Sequence, residues 1–167
     1  MRCLCLTLIF AAAVMTTVPH ANQAAPKPPV PISEQDYDAI MKKVGPAFTT
    51  MSKNLDDGDV ERAVKDAQQL SALFAETEKF WAQHKREDAV KFAQLARKEA
   101  DAVVTGVGGS RGYLKSDARI QRGVQVRLSR ARASVGALRT VCQRCHFAYR
   151  EGDATSGFHI KPSALVP

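Results

Sequence analysis

Apolar residues recur at spacings of three and four in four stretches of the chain, which is the pattern of helices that bury one face. The stretches lie at about residues 34–55, 60–75, 86–105 and 116–150, and the second weakens over residues 76–81. Aromatic side chains make up only 7% of the residues, and we predict no strand. Because the connections are short, the pattern predicts an all-α fold, an antiparallel up-down-up-down four-helix bundle.

The boundaries of the helical domain are marked by residues that start or stop helices. Ser33 is a predicted N-cap, and Glu34 and Asp36 follow in the first turn, where the helix dipole favours acids. Glycines crowd residues 106–112 and predict a loop. We expect the four-helix domain at residues 33–151 and a polar C-terminal tail at residues 152–167.

The first 25 residues have the layout of a signal peptide. Arg2 precedes an uncharged, mostly apolar run over residues 3–18, and small residues follow at Ala21, Ala24 and Ala25. A membrane anchor is the alternative, but the run is shorter than the ~20 residues that a spanning helix needs. We expect export to the periplasm, no stable membrane anchor after cleavage, and an extended Pro-rich leader at residues 26–32.

Cleavage would leave two of the four cysteines, in the sequence Cys142-Gln143-Arg144-Cys145-His146. C-x-x-C-H is the attachment sequence of haem c. On a helix the two thiols and the imidazole fall within one ~100° sector. Both thiols can then form thioethers to the porphyrin while His146 binds the iron. The motif therefore predicts one covalent haem c.

Three other uses of the motif are open. A redox dithiol places C-x-x-C at the start of a helix after a strand, where the thiol pKa is lowered, whereas this motif lies near the end of a long helix. A zinc site would need a further ligand, for which His84 and His159 are the candidates. The third alternative is an idle disulfide between Cys142 and Cys145.

The chain resembles the cytochrome c′ / cytochrome c-556 family, the class II c-type cytochromes whose single C-x-x-C-H lies in the last helix. The resemblance rests first on residues 142–150, which read CQRCHFAYR. Residues 41–45, which read MKKVG, are similar to the family's M-K-x-x-G, and residues 80–81 read FW where the family often has an apolar-Trp pair. The resemblance extends over about residues 33–150.

This resemblance implies an electron carrier and not an enzyme. His146 would be the proximal iron ligand, and Met41 the distal ligand of a six-coordinate, low-spin haem, as in the c-556-like members. In c′-like members an apolar residue covers the distal face, and the five-coordinate iron binds NO or CO. A Met on an apolar stripe is also a common packing residue. Family members often carry Arg or Gln for a haem propionate where this chain has Tyr37 and Asp38.

The last helix is rich in arginine, in a chain whose formal charge is +7. An exported chain without interleaved aromatics is not expected to bind nucleic acid. We expect most of these arginines to be solvated or in salt bridges, and some to form a basic rim that attracts acidic redox partner proteins. The resemblance also allows a homodimer through the first two helices. The arginines are Arg119, Arg122, Arg127, Arg130, Arg132, Arg139, Arg144 and Arg150.

Overall fold

A computed structural model describes residues 30–108, 118–153 and 155–165. Its elements are α1 Glu34–Asp56, α2 Val60–Gln83, α3 Glu87–Gly108, α4 Ala118–Tyr149, β1 Arg150–Asp153, β2 Gly157–Ile160 and α5 Pro162–Leu165. The prediction of a mostly helical protein with four main helices packed against each other is confirmed. The predicted signal peptide and most of the Pro-rich leader lie outside the described residues.

Helix α1 begins at the predicted N-cap. The Ser33 hydroxyl accepts a hydrogen bond from the Asp36 backbone N–H at 3.1 Å, and the Ser33 N–H donates to the Asp36 carboxylate at 3.1 Å. This reciprocal pair is a capping box, and it satisfies two backbone donors that the first turn would otherwise leave free. Pro46 lies inside the helix, which continues to Asp56.

Two predicted helix ends are corrected. Helix α2 does not weaken after residue 75 but continues to Gln83, because Thr77, Phe80 and Trp81 are buried and keep the apolar stripe going. Helix α3 runs through Gly108, so the predicted loop does not begin at Gly106. The rest of that predicted loop, residues 109–112, lies outside the described residues.

The C-terminal tail contains two strands, which corrects the prediction of no strand. Strands β1 and β2 pair antiparallel, with Arg150 opposite Ile160 and Gly152 opposite Phe158. Short α5 follows, with Ala164 buried, and the Arg86 guanidinium donates to the Ala164 carbonyl at 2.8 Å. The strands escaped prediction because nearly all their side chains are exposed, so no alternating apolar pattern marks them.

The interior consists of two apolar clusters. The larger one fills most of the length of the four helices and includes Met51, Leu55, Leu70, Val103 and Leu138, all at most 1% exposed. The smaller one lies under the C-terminal segment and is formed by Tyr37, Phe80, Trp81, Ala89, Tyr149 and Ala164.

The helices do not contact each other equally. The pairs α1–α2, α2–α3 and α3–α4 pack extensively, whereas α1 and α4 meet at few points. This unequal packing leaves an opening between α1 and α4. Among the described residues, no helix combines the length and apolarity needed to cross a membrane.

Candidate functional site

A cleft of about 710 Å³ opens between α1 and α4 and is bounded by the C-terminal hairpin β1–β2. This volume is in the range of pockets that bury a small-molecule cofactor, roughly 300–1,000 Å³. All four residues singled out from the sequence, Cys142, Cys145, His146 and Met41, line this one cleft.

Helix α4 places the two cysteines on the cleft wall. Because they are three residues apart on a helix, their side chains lie one turn apart on the same face. Both are free thiols and half-buried. Burial raises the pKa of Cys142 to about 11 and that of Cys145 to about 12. Such thiols are protonated at neutral pH, which is the opposite of the lowered pKa that a redox dithiol needs.

His146 follows one residue later and is also half-buried on the cleft wall. Burial, together with the positive charge of Arg150, lowers the pKa of its imidazole below the usual value. The neutral ring keeps a free nitrogen lone pair at physiological pH, and only this form can bind a metal ion.

Helix α1 supplies the facing wall of the cleft. Met41 is half-buried there, and Gly45 lies one helical turn further along the same wall. A Cβ added at Gly45 would find no atom within 4 Å, so the fold itself does not require glycine at this position. The missing side chain leaves room in the cleft one turn from the Met41 thioether.

Aromatic side chains form the inner end of the cleft. Tyr37, Trp81 and Tyr149 line it, and Phe80 stacks behind Tyr37 with ring centroids 4.2 Å apart. Tyr149 packs on Trp81 at 4.9 Å. All four are buried, and burial raises the pKa of the Tyr37 phenol far above its usual value. This end of the cleft is therefore apolar and shielded from water.

One polar atom in this aromatic group has no partner. Trp81 is completely buried, and its indole Nε1 has no hydrogen-bond acceptor among the described residues. The indole N–H partly offsets the rise in the pKa of the neighbouring Tyr37 phenol, but the two groups do not reach the geometry of a hydrogen bond. An unpaired buried donor costs about 1–3 kcal/mol, so an acceptor supplied by a molecule in the cleft would relieve a real cost.

Cations surround the outer part of the cleft. The Arg139 guanidinium lies 5.5 Å from the Phe48 ring, reaching from α4 to α1, and the Arg150 guanidinium lies 4.1 Å from the Phe158 ring of the hairpin. Within the described part of the chain, neither guanidinium is in salt-bridge contact with a carboxylate, unlike Lys42, which pairs with Asp38 at 2.7 Å. A ligand with carboxylates would thus meet unpaired positive charge here.

The residues considered for a zinc site are not brought together. His84 does not line the cleft; its Nδ1 lies 3.3 Å from the Leu165 carbonyl oxygen. His159 does line it, but its Nε2 is 3.1 Å from the Glu151 carboxylate in the hairpin. In residues 30–108, 118–153 and 155–165, no three His, Cys, Asp or Glu side chains are grouped to hold a metal ion.

Several cleft residues escaped sequence analysis. Phe158 and Ile160 form one wall with His159, which was considered only as a zinc ligand, because the hairpin folds back; no local pattern indicated this fold. Trp81 and Tyr149 carry a signal that could have been used: both are large aromatic residues with a polar atom, placed near helix ends at register positions facing the interior.

Comparisons with known proteins give no relative for this chain. No family model matches it, and neither a curated protein nor a solved structure is significantly similar to it. The residues of the cleft and their chemistry are what support a function.

Proposed function

We propose that this protein is an exported c-type cytochrome that carries single electrons through one covalently attached haem. The observation that supports this most is that the C-x-x-C-H residues of α4 and Met41 of α1 line a single cleft. In this proposal the chain has no catalytic turnover, it acts in the periplasm after removal of a signal peptide, and it belongs to the class II type that residues 142–150 resemble.

The chain's own residues would hold the haem in four ways. The Cys142 and Cys145 thiols would each add across one vinyl group of the porphyrin to give a thioether, and the neutral His146 imidazole would bind the iron. Met41 offers its thioether sulfur from the α1 side. The open space at Gly45 would let a flat ring approach the helix backbone. When bound, the haem supplies an iron that changes by one electron.

The surroundings fit an amphipathic group with an apolar body and carboxylates. Tyr37, Trp81 and Tyr149 exclude water from the ring, and the unpaired Trp81 N–H would donate to a propionate oxygen. Arg139 offers further positive charge in place of the family's Arg or Gln near the start of the first helix. Met ligation and a dry site both raise the reduction potential of a haem.

The antiparallel up-down-up-down arrangement of the four helices belongs to the same proposal. The connections α1–α2 and α2–α3 are three residues long, which favours antiparallel neighbours. The small apolar cluster also gathers residues near the starts of α1 and α3 and near the ends of α2 and α4, namely Tyr37, Ala89, Trp81 and Tyr149.

A second candidate is a five-coordinate protein of the c′ type that binds NO or CO. The observation that favours it is that Met41 packs against the small apolar cluster, as a purely structural methionine would. The two candidates share the fold and the haem, and they differ in whether the Met41 sulfur binds the iron.

The visible absorption spectrum, recorded in ferric and ferrous forms after expression with c-type maturation machinery, tests the proposal. We expect a low-spin spectrum with the weak red ferric band of Met–iron ligation. Met41→Leu should abolish this band, and Met51→Leu should keep it. Met51 is a matched control because it lies on the same helix, is buried, and does not line the cleft.

The other outcomes separate the candidates. A high-spin spectrum that shifts readily with CO or NO, and is the same in Met41→Leu, would favour the gas-binding candidate. Covalent haem must be lost when Cys142 and Cys145 are both changed to Ala. A protein without any haem spectrum in the native sequence would contradict both candidates.

A further inference from the structure

Two aromatic rings project into solvent beside the haem-binding motif. Phe147 follows His146 directly and is 87% exposed, and Phe158 of the hairpin is 51% exposed. Water-exposed phenylalanines lose the stabilisation that burial would give them, about 1.5–3 kcal/mol each. Exposed large apolar groups commonly mark an interaction surface. Arg150, whose guanidinium lies over the Phe158 ring, is three residues after Phe147 in the chain.

A cation is fixed next to each ring. The Lys161 ammonium lies 6.0 Å from the Phe147 ring centroid and donates hydrogen bonds to the Phe147 and Ala148 carbonyls at 2.9 and 3.0 Å. The Arg150 guanidinium lies over Phe158. These contacts limit the mobility of Lys161 and Arg150, so a partner that binds them loses less side-chain entropy.

The surface around the rings is positive. Helix α4 contains no Asp or Glu from Ala118 to Tyr149, and exposed Arg144 lies one turn before Phe147. Within the described residues, none of Arg144, Arg150 and Lys161 forms a salt bridge, whereas the nearby Glu151 carboxylate is already paired with His159. Together, Arg144, Phe147, Arg150, Phe158 and Lys161 define the docking face.

We infer that the docking face binds an acidic protein, the electron-exchange partner required by the proposed function on which this inference rests. Carboxylates of the partner would meet the three cations, and an apolar spot between them would cover the two rings. A second copy of this chain would present the same positive charge and be repelled. An anionic membrane usually requires a broader apolar helix face than two rings provide.

The position of the face fits electron exchange. Phe147 is the neighbour of His146, the residue that would bind the iron, so a partner seated on Phe147 lies against the segment that holds the haem. Electrostatic attraction raises the rate at which such partners meet, and it weakens with salt.

Binding of a labelled acidic flavodoxin to the purified, haem-loaded protein, measured by fluorescence anisotropy, tests the inference. We expect binding at low ionic strength that weakens at about 0.15 M salt, where charges are screened beyond about 8 Å. Arg144→Glu and Phe147→Ser should each weaken binding about tenfold or more. Arg122→Glu is the matched control, because this exposed arginine lies on the same helix about 33 Å away.

Four outcomes would overturn the inference. Equal weakening by Arg122→Glu and Arg144→Glu would mean that only net charge attracts the flavodoxin. Absence of binding at low salt would exclude an acidic protein surface as the occupant. Binding to phosphatidylglycerol vesicles that is tighter than binding to the flavodoxin, and that Arg144→Glu weakens, would assign the face to a membrane. A dimer in sedimentation experiments that Phe147→Ser dissociates would assign the face to a second copy of the chain. The anisotropy experiment measures only association with the flavodoxin, whereas the absorption spectrum measures the haem. The absence of a haem spectrum would therefore overturn the proposed function independently of the docking result.

Discussion

The unpaired indole of Trp81 gives the sharpest test of what the cleft holds. Trp81→Phe keeps an aromatic ring at this fully buried position but removes the N–H that has no partner. The variant also removes part of the buried ring, worth about 0.8 kcal/mol per CH₂-sized group, or about 2 kcal/mol in all. Removing the unpaired donor recovers about 1–3 kcal/mol. In the protein without haem, the two effects nearly cancel.

The haem-loaded protein should respond differently. If the Trp81 N–H donates to a propionate, this hydrogen bond to a charged acceptor is worth about 1.5–3 kcal/mol, and Trp81→Phe loses it. For a chain of this size a change of 1 kcal/mol shifts the Tm by about 2–4 °C. The haem-loaded variant also lacks the gain of about 1–3 kcal/mol from removing an unpaired donor, so the two proteins should differ by about 2.5–6 kcal/mol. We therefore expect Trp81→Phe to lower the Tm of the haem-loaded protein by about 5–24 °C more than that of the haem-free protein.

Four thermal melts followed by circular dichroism are sufficient. They compare Trp81 and Trp81→Phe in the native background and in a background in which Cys142 and Cys145 are both Ala, as a double-mutant cycle. If the substitution lowers both Tm values equally, the indole N–H does not reach a group in the cleft, and the reasoning from the unpaired donor is refuted. A rise in the Tm of the haem-loaded variant would refute it as well.

Further predictions concern the hairpin and the first helix. Gly152→Ala should disrupt the hairpin, because a Cβ would overlap the Gly157 carbonyl oxygen. A Cβ at Gly157 meets open space, so Gly157→Ala should cost only the strain of the left-handed backbone conformation, about 1–2 kcal/mol. Hydrogen exchange of the Lys161 amide, which donates to the Tyr149 carbonyl, measures the difference between the two variants. The Ser33 hydroxyl and backbone N–H hold the pKa of Asp36 below its usual value. Charged Asp36 therefore stabilises the fold above the unfolded-state pKa of about 3.9, and this contribution is lost as the pH falls through the lower folded-state pKa. Asp36→Asn should lower the Tm at neutral pH and remove this part of its acid dependence, whereas an unchanged acid dependence would contradict the role of Asp36 in the cap.

The sequence was sufficient to predict the four main helices. Spacings of three and four carry the helix signal, and the Ser33 cap was predicted correctly. The end of α2 was wrong because Thr77 is polar and breaks the apolar count, although it is buried and its hydroxyl donates to the Leu73 carbonyl. A polar side chain whose hydrogen bond is made within its own helix can be buried, although its residue type predicts an exposed position.

The candidate site could be predicted only in part. Cys142, Cys145 and His146 are local in sequence, so their spacing alone indicated a shared face. Phe158 and Ile160 reach the cleft only because the chain reverses between β1 and β2, where the Asp153 carboxylate accepts hydrogen bonds from the Thr155 and Ser156 N–H groups at 2.8 and 2.7 Å. Such short polar turns leave little trace in hydrophobic periodicity.

The sparse contact between α1 and α4 also bears on the order in which the chain folds. The pairs α1–α2 and α2–α3 are joined by short connections and can form early, because closing a short loop loses little chain entropy. The two walls of the cleft are roughly 100 residues apart along the chain, and such distant contacts form slowly. We expect α4 to reach α1 last, so the cysteine thiols remain accessible to attachment chemistry until the rest of the bundle is in place.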